Sequence, residues 1–135
     1  MRADQFRQML RTPRTIAIVG AKDKLGEAVD SVGRYLIRAG FDVAPVNPAR
    51  REVWGLKAYP CLADVPTPID IVNVFRAPEY CAGHAREAAA LKPRPGVFWM
   101  QLGITSAEAS RIAAEAGMET VDDCCIMIEH RNLHI

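Results

Sequence analysis

Glycines and cations gather where an apolar run gives way to a loop. Thr15 to Val19 is continuous and ends on Gly20 and Ala21, with Lys22, Lys24 and Gly26 following before a helical stretch begins. Such a turn suits a phosphate, because the first N–H groups of the helix lack intrahelical partners and its end carries about half a positive charge. The spacing of Gly20, Gly26 and Gly33 does not reproduce the G-x-G-x-x-G dinucleotide fingerprint. A second run ends at Asn47 and Pro48, followed by Arg50 and Arg51. NAD sites place a carboxylate there for the ribose 2′-hydroxyl; a neutral amide beside two cations suits a ribose with an extra phosphate, as in NADP or coenzyme A. The bland alternative is a solvated charged loop. A third run leaves through Phe75 and Arg76, whose guanidinium is placed to pair with phosphate or with Glu79. A fourth leaves through Trp99, Gln101 and Gly103, where the amide and nearby N–H groups are placed to meet an extended ligand, Trp99 itself also fitting as core.

Other chemistries find less support. His84 stands apart, His130 and His134 fall at a fraying carboxyl terminus, and neither a G-x-S-x-G elbow nor paired carboxylates occur. Cys124 and Cys125 sit at the start of a helical stretch, which lowers a thiol's pKa, although a buried cysteine there is inert.

The four runs must be strands that carry these ends to one rim. Continuous apolar runs read as parallel strands buried on both faces, and the helical periods between them give a βαβα alternation. Val29, Val32, Tyr35, Leu36 and Ala39 lie on one helical face, and Gly40 follows as a left-handed end. From Pro48 to Pro60 runs a long connection with an extended piece near Leu56 to Tyr59 and Trp54 as a lid. Pro78 starts the next helix, which ends before Lys92; Thr105 and Glu108 form a capping box for another that ends at Gly117. Met118 to Val121 reads as an edge strand, and Asp122 and Asp123 are placed to cap a last helix from about Cys124 to His130. Residues 1–13 read as a lead-in helix ended by Pro13. In a doubly wound sheet of this kind, the first and fourth runs are expected to flank the switch point.

At 135 residues, half of them hydrophobic, the chain suits one domain, residues 1–135, with one core. A net charge of +1 predicts no general attraction to nucleic acid or anionic membrane, so any anion site must be local. The four cysteines form no C-x-x-C pair, which fits reduced thiols in a cytoplasmic protein. The start has no signal-peptide pattern, and no run approaches bilayer-spanning length.

Taken in order, Ile16 to Gly20, Arg34 to Leu36, Val46 to Pro48, Leu62 to Asp64, Asp70 and Ile71 with Val74 to Arg76, Trp99 to Gly103, and Cys125 to His130 resemble the small single-domain coenzyme A-binding proteins. These are relatives of the domain that opens the alpha subunit of succinyl-coenzyme A synthetase. The resemblance implies a three-layer α/β/α Rossmann-like fold with a parallel sheet of about five strands. It implies coenzyme A or an acyl-CoA at the rim: Gly20 and Ala21 against the diphosphate, Asn47 and Pro48 at the adenosine end, and Phe75, Arg76, Gln101 and Gly103 along its path; Lys22 and Lys24 join these as candidate binding residues from their own charge, not from the resemblance. It also implies a binding module without an assigned reaction. The departure lies in the first loop, where the family's Ser-Pro-x-Pro-x-Arg-Pro-Ser pattern gives way to Lys22 through Val29. Glu27 there replaces an arginine, and Cys124 replaces a more usual basic residue. A carboxylate about 4 Å from a phosphate charge is unfavourable by roughly 1 to 4 kcal/mol, with Lys22 and Lys24 placed to compensate.

The expectation is therefore a non-catalytic coenzyme A-binding protein, with a homo-oligomer open. Two other readings stay open: an NADP-type dinucleotide-binding regulator, and a ligand-free interaction or oligomerisation module using the edge strand or last helix. A thiol exchange between Cys124 or Cys125 and the coenzyme's sulfur is a further expectation.

Overall fold

The computed structural model describes residues 2–11 and 14–135. A lead-in helix α1, Arg2–Met9, precedes strand β1, Thr15–Val19; Pro13, expected to end the helix, lies outside the described residues. Helix α2, Ala28–Arg38, leads to β2, Asp42–Val46, and then to a small antiparallel hairpin of β3, Glu52–Val53, and β4, Leu56–Lys57. A single 3-10 turn, Leu62–Asp64, precedes β5, Ile71–Val74. Helix α3, Pro78–Ala89, β6, Val97–Met100, α4, Ala107–Glu115, β7, Glu119–Val121, and α5, Ile126–Leu133, complete the order.

The strands β2-β1-β5-β6-β7 form one five-stranded sheet, and each neighbouring pair is parallel. The expected Rossmann-like α/β fold is what the chain adopts, with one change at the centre. Counting only the strands of this sheet, the order is 2-1-3-4-5, so the reversal falls between β1 and β5. The first and third runs flank the switch point, not the first and fourth.

Alternation along the strands separates two apolar layers. Ile16 and Ile18 face α1, α2 and α5, whereas Ala17 and Val19 face α3 and α4. On the second face Ala85 and Ala88 of α3 and Ala109 and Ala113 of α4 are fully buried, and their small side chains let both helices lie close to the sheet and to each other. Trp99 is core, with its indole N–H donating to the Cys124 carbonyl at 2.8 Å.

Helix ends follow local chemistry. Gly40 and Gly117 adopt φ of +99° and +93°, and each closes a pair of bonds back into its helix: Gly40 N–H to Ile37 and Phe41 N–H to Leu36, then Gly117 N–H to Ala114 and Met118 N–H to Ala113. These are Schellman ends, available at low cost because glycine has no Cβ. At the other termini two expectations are corrected. Ser106, not Thr105, caps α4 by accepting from Ala109 N–H, because burial of Ala109 and Ala113 sets the helix phase. The last helix starts at Ile126, behind an N-cap at Cys125 without a side-chain bond, and Asp123 turns away to accept from Gly103 N–H at 2.7 Å. Trp54, the expected lid, packs on α2: a Cβ at Gly33 would lie 2.1 Å from its ring, and its indole N–H donates to buried Asp30 at 2.9 Å.

His130 does not fray; it is buried, with Nδ1 2.7 Å from the Tyr35 hydroxyl and its ring edge-on to Tyr35 and Phe41. Asp4, Arg7 and Arg11 of α1 line the groove beside it. Burial pushes its pKa below the ordinary value. The unfolded chain therefore binds a proton near pH 6.5 that the folded chain resists. Stability from this group is complete above about pH 6.5 and is lost as the pH falls below it, by at most about 1.4 kcal/mol per pH unit. Denaturant titrations of wild type and His130→Gln from pH 5 to 8 are expected to show a steeper loss of stability below about pH 6.5 in wild type than in the variant.

Candidate functional site

Strand register lines up the rim. Val19 pairs with Val46 and with Val74, and Val74 pairs with Met100, so Gly20, Asn47, Phe75 and Gln101 are the next residues in one row. Gly20 has φ +87°, and a Cβ there would sit 2.5 Å from the Phe75 carbonyl oxygen. Only glycine gives both the backbone turn and the close approach of the two strand ends.

The first loop is bound to its neighbours before any ligand is considered. Gly20 and Ala21 both donate their N–H groups to the Val46 carbonyl, at 2.9 and 3.3 Å. The Asn47 side chain donates to the Ala21 carbonyl at 2.8 Å and accepts from Ala49 N–H at 2.8 Å. Its amide thus clasps two loops, and neither of those bonds reads a ribose. Lys22 Nζ lies 3.0 Å from Glu27, the N-cap of α2, whose carboxylate makes no capping bond and faces the lysine instead. Asp23 accepts from Arg50 at 3.0 Å and from Trp54 N–H at 3.3 Å. The Trp54 N–H, its own N–H and then the Arg50 and Arg34 charges hold the Asp23 carboxyl below its usual range.

Arg76 is different. Its guanidinium carbon lies 4.3 Å from the centroid of the Tyr80 ring, and among the described residues it makes no ion pair, with Glu79 or any other carboxylate. Six of the expected residues, Gly20, Lys22, Asn47, Pro48, Phe75 and Arg76, meet around an open cleft of about 390 Å³, joined by Ala77 and Tyr80. The cleft sits beside the β1/β5 switch point, where open α/β sheets hold ligands, and its size is that of a small-ligand pocket.

Four expected residues stand outside the cleft's lining. Ala21 is buried beneath it, and Lys24 is exposed on the loop. Gln101 is buried, accepting from Asn73 and from Ile126 N–H, both at 3.2 Å. Gly103 has its N–H on Asp123. Cys124 lies 3.6 Å from an Arg2 guanidinium nitrogen and Cys125 is buried; neither lines the cleft. No cluster of three or more metal-ligating side chains occurs among the described residues, and no described helix is long and apolar enough to cross a membrane. A larger groove of about 580 Å³ opens between α1 and α5, walled by the charged exposed face of α1 and sharing no residue with the cleft. The cleft at the rim, with its glycine turn and unpaired guanidinium, has the chemistry of an anion site.

A family model described as a CoA binding domain matches residues 14–131. The chain belongs to the CoA-binding domain family. Its family relationship extends to an uncharacterised protein, YneT, of Bacillus subtilis strain 168, 36% identical over 126 residues and covering 93% of this chain and 92% of that one. A solved structure of a hypothetical protein from Pyrococcus horikoshii OT3 superimposes with a TM-score of 0.94 at 36% identity, covering 100% of this chain and 94% of the other. An ADP-forming acetate–CoA ligase of Archaeoglobus fulgidus is 24% identical over 123 residues, 84% of this chain but only 18% of the ligase. The CoA-binding domain thus corresponds here to a small part of that enzyme.

Within this domain the Asn47 clasp makes a direct prediction. Asn47→Ala removes two hydrogen bonds, each contributing about 0.5–1.5 kcal/mol. Stability is expected to fall by about 1–3 kcal/mol in denaturant titrations, with amide exchange accelerating at Ala49 and in the 20–27 loop ahead of the core strands.

Proposed function

We propose that the domain binds coenzyme A or an acyl-CoA through its diphosphate at the β1/β5 cleft, without catalysing a reaction. The observation that carries this reading is Arg76: a cation at the switch point, held on an aromatic ring and paired with no carboxylate among the described residues. Family membership and the ligases' printed names support the ligand class. In this reading Lys22 and Arg76 meet phosphate charge and Phe75 and Pro48 supply apolar surface. Gly20 keeps the backbone low enough for approach, and Asn47 acts by holding the loops. Gln101 and Gly103 act from behind the rim, fixing α5 and the β6–α4 loop that border the ligand's path. Lys24, exposed on the first loop, adds long-range attraction.

Glu27 weakens this site without closing it. Its charge draws Lys22 away and opposes phosphate, which together disfavour an anion within the range of about 1–4 kcal/mol for charges near 4 Å. The domain is expected to gain about 2.7 kcal/mol of stability at coenzyme A one hundred times above its Kd. Calorimetry should show Arg76→Gln weakening binding at least tenfold and Glu27→Gln strengthening it about tenfold, the second gain shrinking at high salt. A flat thermal-shift and calorimetric titration through millimolar coenzyme A would sink the proposal.

One observation favours a second reading, a ligand-free interaction module: Lys22 with Glu27 and Arg50 with Asp23 already neutralise one another on the loop. A stable oligomer in light scattering, indifferent to coenzyme A, NADP and NAD alike, would support it.

A further inference from the structure

Tyr80 is an exposed aromatic on the first turn of α3 that contributes little to the core. Pro78 begins that helix, which fixes where the side chain two residues later can stand. Its ring lies under the Arg76 guanidinium at 4.3 Å, and both residues line the cleft. Glu79, adjacent in the same turn, is the obvious competitor for that guanidinium, yet the two form no ion pair. A guanidinium stacked by its face keeps its N–H donors in the plane available for oxygen acceptors.

We propose that Tyr80 is a positioning residue that holds Arg76 on its ring, away from Glu79, so that the guanidinium edge is set to receive a diphosphate. This deepens the coenzyme A reading and rests on it for the identity of the full ligand. It assigns the recognition element to the diphosphate, so molecules that carry one, such as coenzyme A and ADP, are selected over pantetheine, which carries none. The stack acts through Arg76 and not through the tyrosine hydroxyl. Phenylalanine therefore preserves the function and leucine, which fills similar space without a π face, does not.

The test measures Kd by calorimetry for coenzyme A, ADP, pantetheine and inorganic pyrophosphate on the full chain. Tyr80→Phe, Tyr80→Leu, Arg76→Gln and the Tyr80→Leu/Arg76→Gln double variant are compared with wild type, with thermal melts of each. Tyr80→Leu is expected to weaken coenzyme A, ADP and pyrophosphate about tenfold, Tyr80→Phe to stay within twofold of wild type, and the leucine change to cost nothing further in the Arg76→Gln background. The proposal is overturned if Tyr80→Leu binds as wild type does, if phenylalanine loses as much as leucine, or if the leucine loss persists without Arg76. Coenzyme A binding that is insensitive to Tyr80 removes this inference and leaves the coenzyme A reading standing. Tyr80-dependent pyrophosphate binding with no coenzyme A affinity does the reverse, and wild-type protein that binds none of the four ligands removes both.

Discussion

The Phe75 carbonyl oxygen occupies space that any side chain on Gly20 would need, so the ends of β1 and β5 meet only because residue 20 has no Cβ. From that contact the rest of the rim follows. The chain leaving β5 passes low over the glycine, which brings Arg76 across the switch point, with its Cδ 3.2 Å from the same missing Cβ. Pro78 can then start α3 at once, and the ring of Tyr80 arrives beneath the guanidinium. The Gly20 turn also points two N–H groups at one carbonyl of β2, and Phe75 N–H donates to Val19, so the ends of β2, β1 and β5 are bound into a single piece.

The loop between β1 and α2 is held from outside as firmly as from below. Asp23 receives the Arg50 side chain and the Trp54 N–H, while Trp54 reaches past the small Gly33 to buried Asp30, which also accepts from Arg34 at 2.9 Å. Trp54 takes a left-handed φ of +55° to do so, a conformation that costs a non-glycine residue energy unless its surroundings fix it. Here they do, through one bond to its backbone and one to its side chain. The hairpin therefore acts as a strap over α2. It lets a loop that contains no proline hold a defined shape, since the rigidity comes from distant partners instead of from restricted φ angles.

Much of the layout was legible because it is written in local signals. Parallel strands buried on both faces appear as unbroken apolar runs, and Gly40 and Gly117 mark helix ends that their φ values require. Where the sequence offers two equivalent neighbours, it does not choose: Thr105 and Ser106 both carry the hydroxyl a cap needs, and the burial of Ala109 decides between them. Long-range pairings were not legible at all. Buried His130 pairs with the hydroxyl of Tyr35, 95 positions earlier, and Asp23 meets Arg50 and Trp54 across 27 and 31 positions. Six of the expected rim residues do meet around one cleft, whereas the Tyr80 ring beneath Arg76 was not legible, because the sequence does not show that a cation four positions earlier lies on its face.

Magnitudes also decide what the charges of the first loop would do to a diphosphate in the proposed reading. Lys22 and Glu27 are both partly open to water, and ion pairs in that setting contribute about 0–1 kcal/mol. A hydrogen bond from a guanidinium or ammonium to a phosphate oxygen contributes about 1.5–3 kcal/mol. A diphosphate entering the cleft can therefore draw Lys22 from Glu27 at small cost, and the net +1 of the chain adds no opposing field. Glu27 then remains as a nearby negative charge that lowers affinity, but it has no means of closing the site, because the turn at Gly20, the clasp at Asn47 and the stack at Tyr80 do not depend on it. In the proposed reading the first loop would thus tune how tightly a diphosphate is held, whereas the strand ends beneath it form the cleft itself.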